Sequence, residues 1–177
     1  MHGVWTEIEG QQVLLCAVCW NKYISKYRGT DFETIELKPV TLRDCTGKTH
    51  EFHFFTHLVP SGLAIEAREM TGKGNIGYAF SVLGADGCDQ PDLILDLYKK
   101  MKRGLSKKYL KIYRTQKTIQ DSRVAGRIEW DDDFHGELPR LVIDGQQVTW
   151  TEFGKMLMSF EGWQFKLDII DPAFCTF

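Results

Sequence analysis

Cys16-Ala-Val-Cys19 places two thiols three residues apart, after the apolar run Val13-Leu14-Leu15 and before a helix-like stretch from Trp20 to Tyr27. Thiols so spaced at a helix start can grip one soft metal ion or cycle between dithiol and disulfide, because the turn aims both sulfurs at one point. A tetrahedral zinc needs two more ligands than this pair supplies. His2 is the candidate third ligand, with Cys175 or Cys45 folding back as the fourth. Three readings stay open: a zinc-free structural pair packed by Trp5, Trp20 and Tyr23; a zinc site built on Cys16, Cys19 and His2; and a redox dithiol, for which the surroundings lack a βαβ pattern.

Other reactive residue types are less well arranged. His50, His53 and His57 fall in a segment with strand character, where His53 and His57 share one face and His50 points to the other, so three ligands to one metal are not expected. They read as side chains of a solvated sheet face. Asp131-Asp132-Asp133 with His135 offers oxygen ligands but lacks the glycine and terminal Glu of a calcium loop, and reads as a solvated turn. No serine sits in a G-x-S-x-G elbow, and Gly72-Lys73-Gly74-Asn75-Ile76-Gly77 joins two strand-like segments with no helix N-terminus to meet a phosphate. The sequence therefore names no catalytic residue.

Charge is unevenly distributed. Nine basic residues and no acidic one lie between Lys99 and Lys117, and removing them from the formal total of −2 leaves −11 on the remainder. At 100° per residue over 93–114, Leu93, Ile94, Leu97, Met101, Leu105 and Ile112 share one arc. Lys99, Lys100, Arg103, Lys107, Lys111 and Arg114 share the opposite one, with Lys108 the exception. A helix of this kind docks by its apolar stripe and offers a cationic ridge to a polyanion, either nucleic acid or an acidic protein. Pairing of that ridge with the protein's own carboxylates is the competing expectation.

The elements that must position these groups follow from periodicity. Residues 3–8 and 11–16 alternate around Gly10-Gln11 as a hairpin, and 17–28 reads as a helix ended by Gly29. Period-two patterns at 35–37, 52–59, 63–68 and 78–83 predict a four-stranded antiparallel meander. A long helix follows, capped by Asp89 or Asp92 with Pro91 in its first turn. Gly104, inside it, marks a kink or close contact. After a polar linker over 115–122 come strands at 125–130 and 140–143, an Asp144-Gly145 hairpin turn, a short helix over 152–160 capped by Thr151, and a last strand over 164–170. Trp130, Trp150, Phe160 and Trp163 are expected to fill the core. The fold class is α+β: a mainly antiparallel sheet, one long and two short helices, and a small treble-clef-like hairpin–helix lobe over 1–31 before a main domain over 32–177.

Apolar content of 43% and charged content of 26% suit a folded soluble domain, and no apolar stretch is long enough to span a membrane. With no leader pattern at the start and five scattered cysteines, a cytoplasmic protein with reduced thiols is expected.

Leu15-Cys16-x-x-Cys19-Trp20-Asn21, Gly126-Arg127-Ile128, Val142-Ile143-Asp144-Gly145 and the run from Gly154 to Trp163 together resemble a family of uncharacterised bacterial proteins. That family carries an N-terminal zinc-finger-like segment before a domain of unknown function. The resemblance implies two CxxC pairs where this chain has one, and it brings no activity with it. The expectation is a non-enzymatic binding or regulatory module that uses the basic helix, the alternative being a small thiol- or metal-dependent enzyme of unknown substrate.

Overall fold

The computed structural model describes residues 3–29, 32–33, 35–72 and 75–171. β1 (Gly3–Ile8) and β2 (Gln11–Cys16) form the expected hairpin, with Trp5 opposite Leu14. Glu9 and Gly10 both take positive φ at its turn, the geometry whose twist matches paired strands. The chain passes directly into α1 (Ala17–Arg28), with Cys16 as N-cap and Gly29 closing the helix in the left-handed conformation, its N–H on the carbonyls of Ser25 and Lys26.

The meander comprises β3 (Val40–Arg43), β4 (Thr49–Val59), β5 (Gly62–Met70) and β6 (Ile76–Gly84), antiparallel and in sequence order. Its first strand starts later than the alternation at 35–37 predicts: Pro39 cannot donate to a ladder, and pairing begins just after it. Because β3 covers only residues 49–52 of β4, the rest of β4 would present an open edge. Side chains of α1 satisfy that edge. The Trp20 indole donates to the Leu58 carbonyl at 2.8 Å, and Arg28 donates to the Val59 carbonyl at 2.6 Å. Asn21, buried, donates to the Thr56 carbonyl and accepts the Leu58 N–H, both at 2.8 Å.

One face of the meander is apolar by strict alternation, with Phe52 and Leu58 on β4, Leu63, Ile65 and Ala67 on β5, and Phe80 on β6. α2 (Gln90–Leu105) lies against it through Leu93, Leu97, Met101 and Leu105. Asp89 caps α2 by accepting the Asp92 N–H at 3.0 Å, with Pro91 in the first turn as expected. Gly104 is the anticipated close contact: a Cβ there would stand 2.3 Å from the Phe80 ring.

The helix expected to run to residue 114 ends at Leu105, where Ser106 caps it. Residues 110–113 alternate rather than repeat every fourth position, and they form β7 (Leu110–Tyr113), paired with β8 (Gln116–Ile119) where a polar linker was expected. A second sheet follows from β9 (Arg127–Trp130), β10 (Pro139–Ile143) and β11 (Gln146–Thr149), in the order β11-β10-β9. Asp144 and Gly145 make the predicted turn, both at positive φ. α3 (Trp150–Leu157) starts earlier than expected, because Thr149 rather than Thr151 caps it in a reciprocal box with Glu152. The second core comprises Ile119, Ile143, Val148 and Met156, with Leu110, Phe153 and Phe160 packed on it.

Two expectations about the end of the chain are corrected. Residues 164–170 form no strand, since a strand needs a neighbouring ladder and none pairs with them among the described residues. Trp130 and Trp163 are each 68% exposed and Trp150 is also exposed, so of the four aromatics expected in the core Phe160 alone joins one. Antiparallel sheets and three α-helices among the described residues make the fold α+β. No helix among the described residues is long and apolar enough to cross a membrane.

Gly104→Ala gains helix propensity of about 1 kcal/mol yet drives a methyl group into Phe80, which is itself held by Phe52 and Tyr78. A net loss of roughly 1–2 kcal/mol is expected in urea unfolding. Recovery in Gly104→Ala/Phe80→Leu would confirm the steric cause.

Candidate functional site

The basic residues divide by what they touch. Lys99 pairs with Asp96 at 2.8 Å across one exposed turn of α2, and Lys100 donates to the Ser81 carbonyl of β6 at 2.8 Å. Lys102 and Arg103 stand exposed on the last turn, and Lys107 follows the cap. Lys111 lies on β7, and Arg114 sits at the β7–β8 turn with its guanidinium 5.4 Å from the Tyr113 ring centre. The continuous helical ridge is therefore corrected to a cationic helix end that passes into a basic hairpin. Ile112 and Tyr113 are exposed on that hairpin.

An open groove of about 440 Å³ lies where β3 meets the end of α2, lined by Arg43, Asp44, Cys45, Lys102 and Ser106 over Leu42 and Leu105. Arg43, exposed, brings a cation from a different element to the same groove as Lys102. Sequence reasoning missed it because a lone Arg at the end of a short strand carries no periodic signal.

At the other end of the chain, β2 delivers Cys16 to the N-cap of α1 with its side chain accepting the Cys19 N–H at 3.5 Å. Both cysteines are exposed. The Cys19 amide and thiol hold the Cys16 thiol below its usual value. The Cys19 thiol is pushed up by its hydrogen bond to Cys16 and by the charge developing there. Of the two thiols, Cys16 is thus the one whose anion is favoured, and Cys19 the one that keeps its proton. His2 and Cys175, expected to complete the set, lie outside the described residues, among which no group of three or more His, Cys, Asp or Glu side chains assembles for a metal.

The most elaborate constellation was not anticipated. His53 and His57 do share a face opposite to His50, but His50 is buried instead of solvated, with only 1% of its side chain exposed. Its Nδ1 lies 2.6 Å from Glu69 Oε1 and its Nε2 lies 3.0 Å from Asp44 Oδ2. Ionised Asp44 only accepts, so Nε2 donates to it, while Nδ1 makes the short contact with Glu69. Asp44 Oδ2 also meets Lys108 Nζ at 2.7 Å, and Lys108 donates onward to the Tyr78 hydroxyl at 2.9 Å. The other Asp44 oxygen accepts the Thr46 and Lys48 N–H groups and the Thr46 hydroxyl, which shapes the turn between β3 and β4.

Glu69 sits at a bulge between β5 and β6, where its second oxygen accepts the Tyr78 N–H at 3.0 Å in place of a cross-strand carbonyl. Gly77 makes this approach feasible, since a Cβ there would stand 2.2 Å from that oxygen. Asp144 extends the network: buried in the β10–β11 turn, it accepts the Tyr109 and Leu110 N–H groups, each at 2.8 Å.

Burial alone would raise the Asp44 carboxyl, but Lys108, Thr46 and His50 outweigh it and hold the group well below the usual carboxylate range. Burial would likewise lower Lys108, and its bonds to Asp44 and Tyr78 raise it instead. The alternation that placed Phe52 inward also places His50 inward two residues earlier, so the signal was in the sequence. What concealed it is that Asp44, Glu69 and Lys108 come from three other places along the chain.

The acidic run forms a turn, but the expectation that it is solvated is corrected at Asp131, which is buried against Arg140. Asp131 caps a short 3₁₀ segment (Asp132–Phe134) by accepting the Asp133 N–H, and Arg140 clamps Asp131 and Asp133 at 2.5 and 2.8 Å.

Two family models match the chain, each described as a domain of unknown function: DUF7686 over residues 33–106 and DUF7713 over residues 107–173. No curated protein and no solved structure matches. The boundary between the two segments falls just after the Ser106 cap, and the buried cluster straddles it. Asp44, His50, Glu69 and Tyr78 come from the first segment; Lys108 and Asp144 come from the second.

Removing Lys108 leaves Asp44 buried without its main counter-charge, so Lys108→Met should cost about 3 kcal/mol, and Asp44→Asn/Lys108→Met should recover part of it. The pH dependence has a definite sign. Asp44, depressed in the fold, contributes stability above its unfolded value that is lost as pH falls toward the folded one. Lys108, raised in the fold, contributes fully below 10.5 and loses its contribution as pH rises through the folded value. Urea titrations across pH should show both limbs in the native protein and a flattened alkaline limb in Lys108→Met.

Proposed function

We propose that the protein is a non-enzymatic binding module that holds a polyanion, nucleic acid first, against the surface running from the Arg43–Lys102 groove through Arg103 and Lys107 to Lys111 and Arg114. One observation carries this reading. Arg43, Lys102, Arg103, Lys107 and Lys111 are exposed, and none takes part in an ion pair among the described residues, although the rest of the chain is strongly anionic. Selection for stability alone would place carboxylates among them, because mixed signs are the usual state of a folded surface.

The arrangement suits phosphates better than a single small anion. Lys102, Arg103, Lys107 and Lys111 follow one another along a short path of chain, and Arg43 of β3 joins Lys102 at one groove, so together they match a repeating charge. Tyr113 and Ile112, exposed between Lys111 and Arg114, add faces on which unpaired bases can stack, each stacked base being worth roughly 1–3 kcal/mol. Lys99 and Lys100 are engaged within the protein and leave the expected set, Lys108 stays outside it, and Arg43 and Lys102 join it.

Fluorescence anisotropy with mixed-sequence single- and double-stranded oligonucleotides tests this. Binding at low salt should weaken steeply as salt rises. Reversal of Arg43, Lys102, Arg103 and Lys107 to Glu should lower affinity more than about tenfold and shallow the salt slope by about 0.7–0.9 for each phosphate no longer neutralised. Lys22→Glu/Lys26→Glu on α1 should leave both unchanged. Absence of binding at low salt, or binding indifferent to the fourfold reversal, contradicts the proposal.

A further inference from the structure

We propose that Cys16 and Cys19 form a thiol–disulfide exchange site that takes a low-molecular-weight disulfide as its oxidant. The geometry supplies each part. Cys16 stands at the N-cap and Cys19 one turn in, with the Cys19 N–H directed at the Cys16 sulfur at 3.5 Å. Both are exposed, so a small disulfide reaches them without opening the fold. The two remaining described cysteines, Cys45 after β3 and Cys88 before α2, have no such neighbour and serve as internal controls.

In the first step the Cys16 thiolate attacks one sulfur of the incoming disulfide, forming a mixed disulfide and releasing one small thiolate. The backbone N–H of Cys19 stabilises the attacking anion in the same way that helix N-termini favour negative charge. In the second step Cys19 loses its proton to water and attacks the Cys16 sulfur, closing the Cys16–Cys19 bond and releasing the second small thiolate. Two protein thiols are oxidised by two electrons, and one disulfide is reduced to two thiols.

The product is reversible, because an excess of the small thiol attacks the exposed Cys16–Cys19 bond and runs both steps backwards.

The test uses the full chain equilibrated in buffers of varied oxidised-to-reduced glutathione ratio, quenched with iodoacetamide and read by peptide mass spectrometry, with zinc measured on the same sample. The expected result is joint loss of alkylation at Cys16 and Cys19, a peptide lighter by two hydrogens, full return in reduced glutathione, and unchanged Cys45 and Cys88. Cys19→Ser should trap glutathione on Cys16, and Cys16→Ser should leave Cys19 alkylating about tenfold more slowly than Cys16 does in the native chain. Equal behaviour of all cysteines, a Cys16 bond to any cysteine other than Cys19, or stoichiometric zinc that shields both thiols overturns the proposal. Should either variant fail to fold by circular dichroism, the native alkylation pattern alone decides.

Discussion

The molecule is organised around one buried electrostatic constraint: Asp44 must be neutralised where water does not reach. A carboxylate whose side chain is wholly buried is tolerated only if every lone pair finds a donor. The chain meets this from three directions, with turn amides of residues 46 and 48, the ring of His50, and the ammonium of Lys108. Each donor fixes an element. The amides set the β3–β4 turn, His50 fixes the inward face of β4 and ties it to β5 through Glu69, and Lys108 draws the chain back to the sheet as it leaves α2. Tyr78 stacks its ring edge on His50 and accepts from Lys108, which closes the cluster.

This cluster explains why the cationic segment does not act as a unit. Once Lys108 turns inward and Asp144 captures the Tyr109 and Leu110 N–H groups, those amides no longer bond back to the carbonyls of the preceding helical turn, and α2 stops at Leu105. The same event that joins the two apolar cores also splits the basic residues. Some are engaged within the protein, Lys102 lines the groove with Arg43, and Arg103, Lys107, Lys111 and Arg114 face solvent. The matched segments 33–106 and 107–173 each hold a core, and the buried ions bridge them.

Local features of the fold were legible where a local rule decides them. The N-terminal hairpin, the Gly29 stop, the Asp144-Gly145 turn and the helix cap at Asp89, one of the two candidates, each depend on a few adjacent residues and occur as expected, while Gly104 marks a close contact whose partner, Phe80, lies on another element. The end of the long helix was not legible. Met101, Leu105 and Ile112 keep helical spacing by coincidence, while the decisive acceptor, Asp144, lies far along the chain. The strand expected over 164–170 has the right alternation, and Phe165 is 90% exposed, because alternation records which face a residue would take and not whether a neighbour exists. Of the candidate site, Cys16 and Cys19 stand one turn apart at the start of α1, with the Cys19 N–H on the Cys16 sulfur. The His50 cluster escaped notice because its members are scattered over β4, β5 and three turns, and only the folded chain brings them together.

The central claim is that the ions around Asp44 weld two segments into one cooperative unit. Native-state hydrogen exchange at residue resolution tests it most directly. The amides of Tyr109 and Leu110, bound to Asp144, should exchange only through the same global opening as Phe52 and Ile65 of the meander, with equal free energies and equal denaturant dependence. Exchange of the 107–171 amides through a separate, lower-energy opening while the meander stays closed would contradict it.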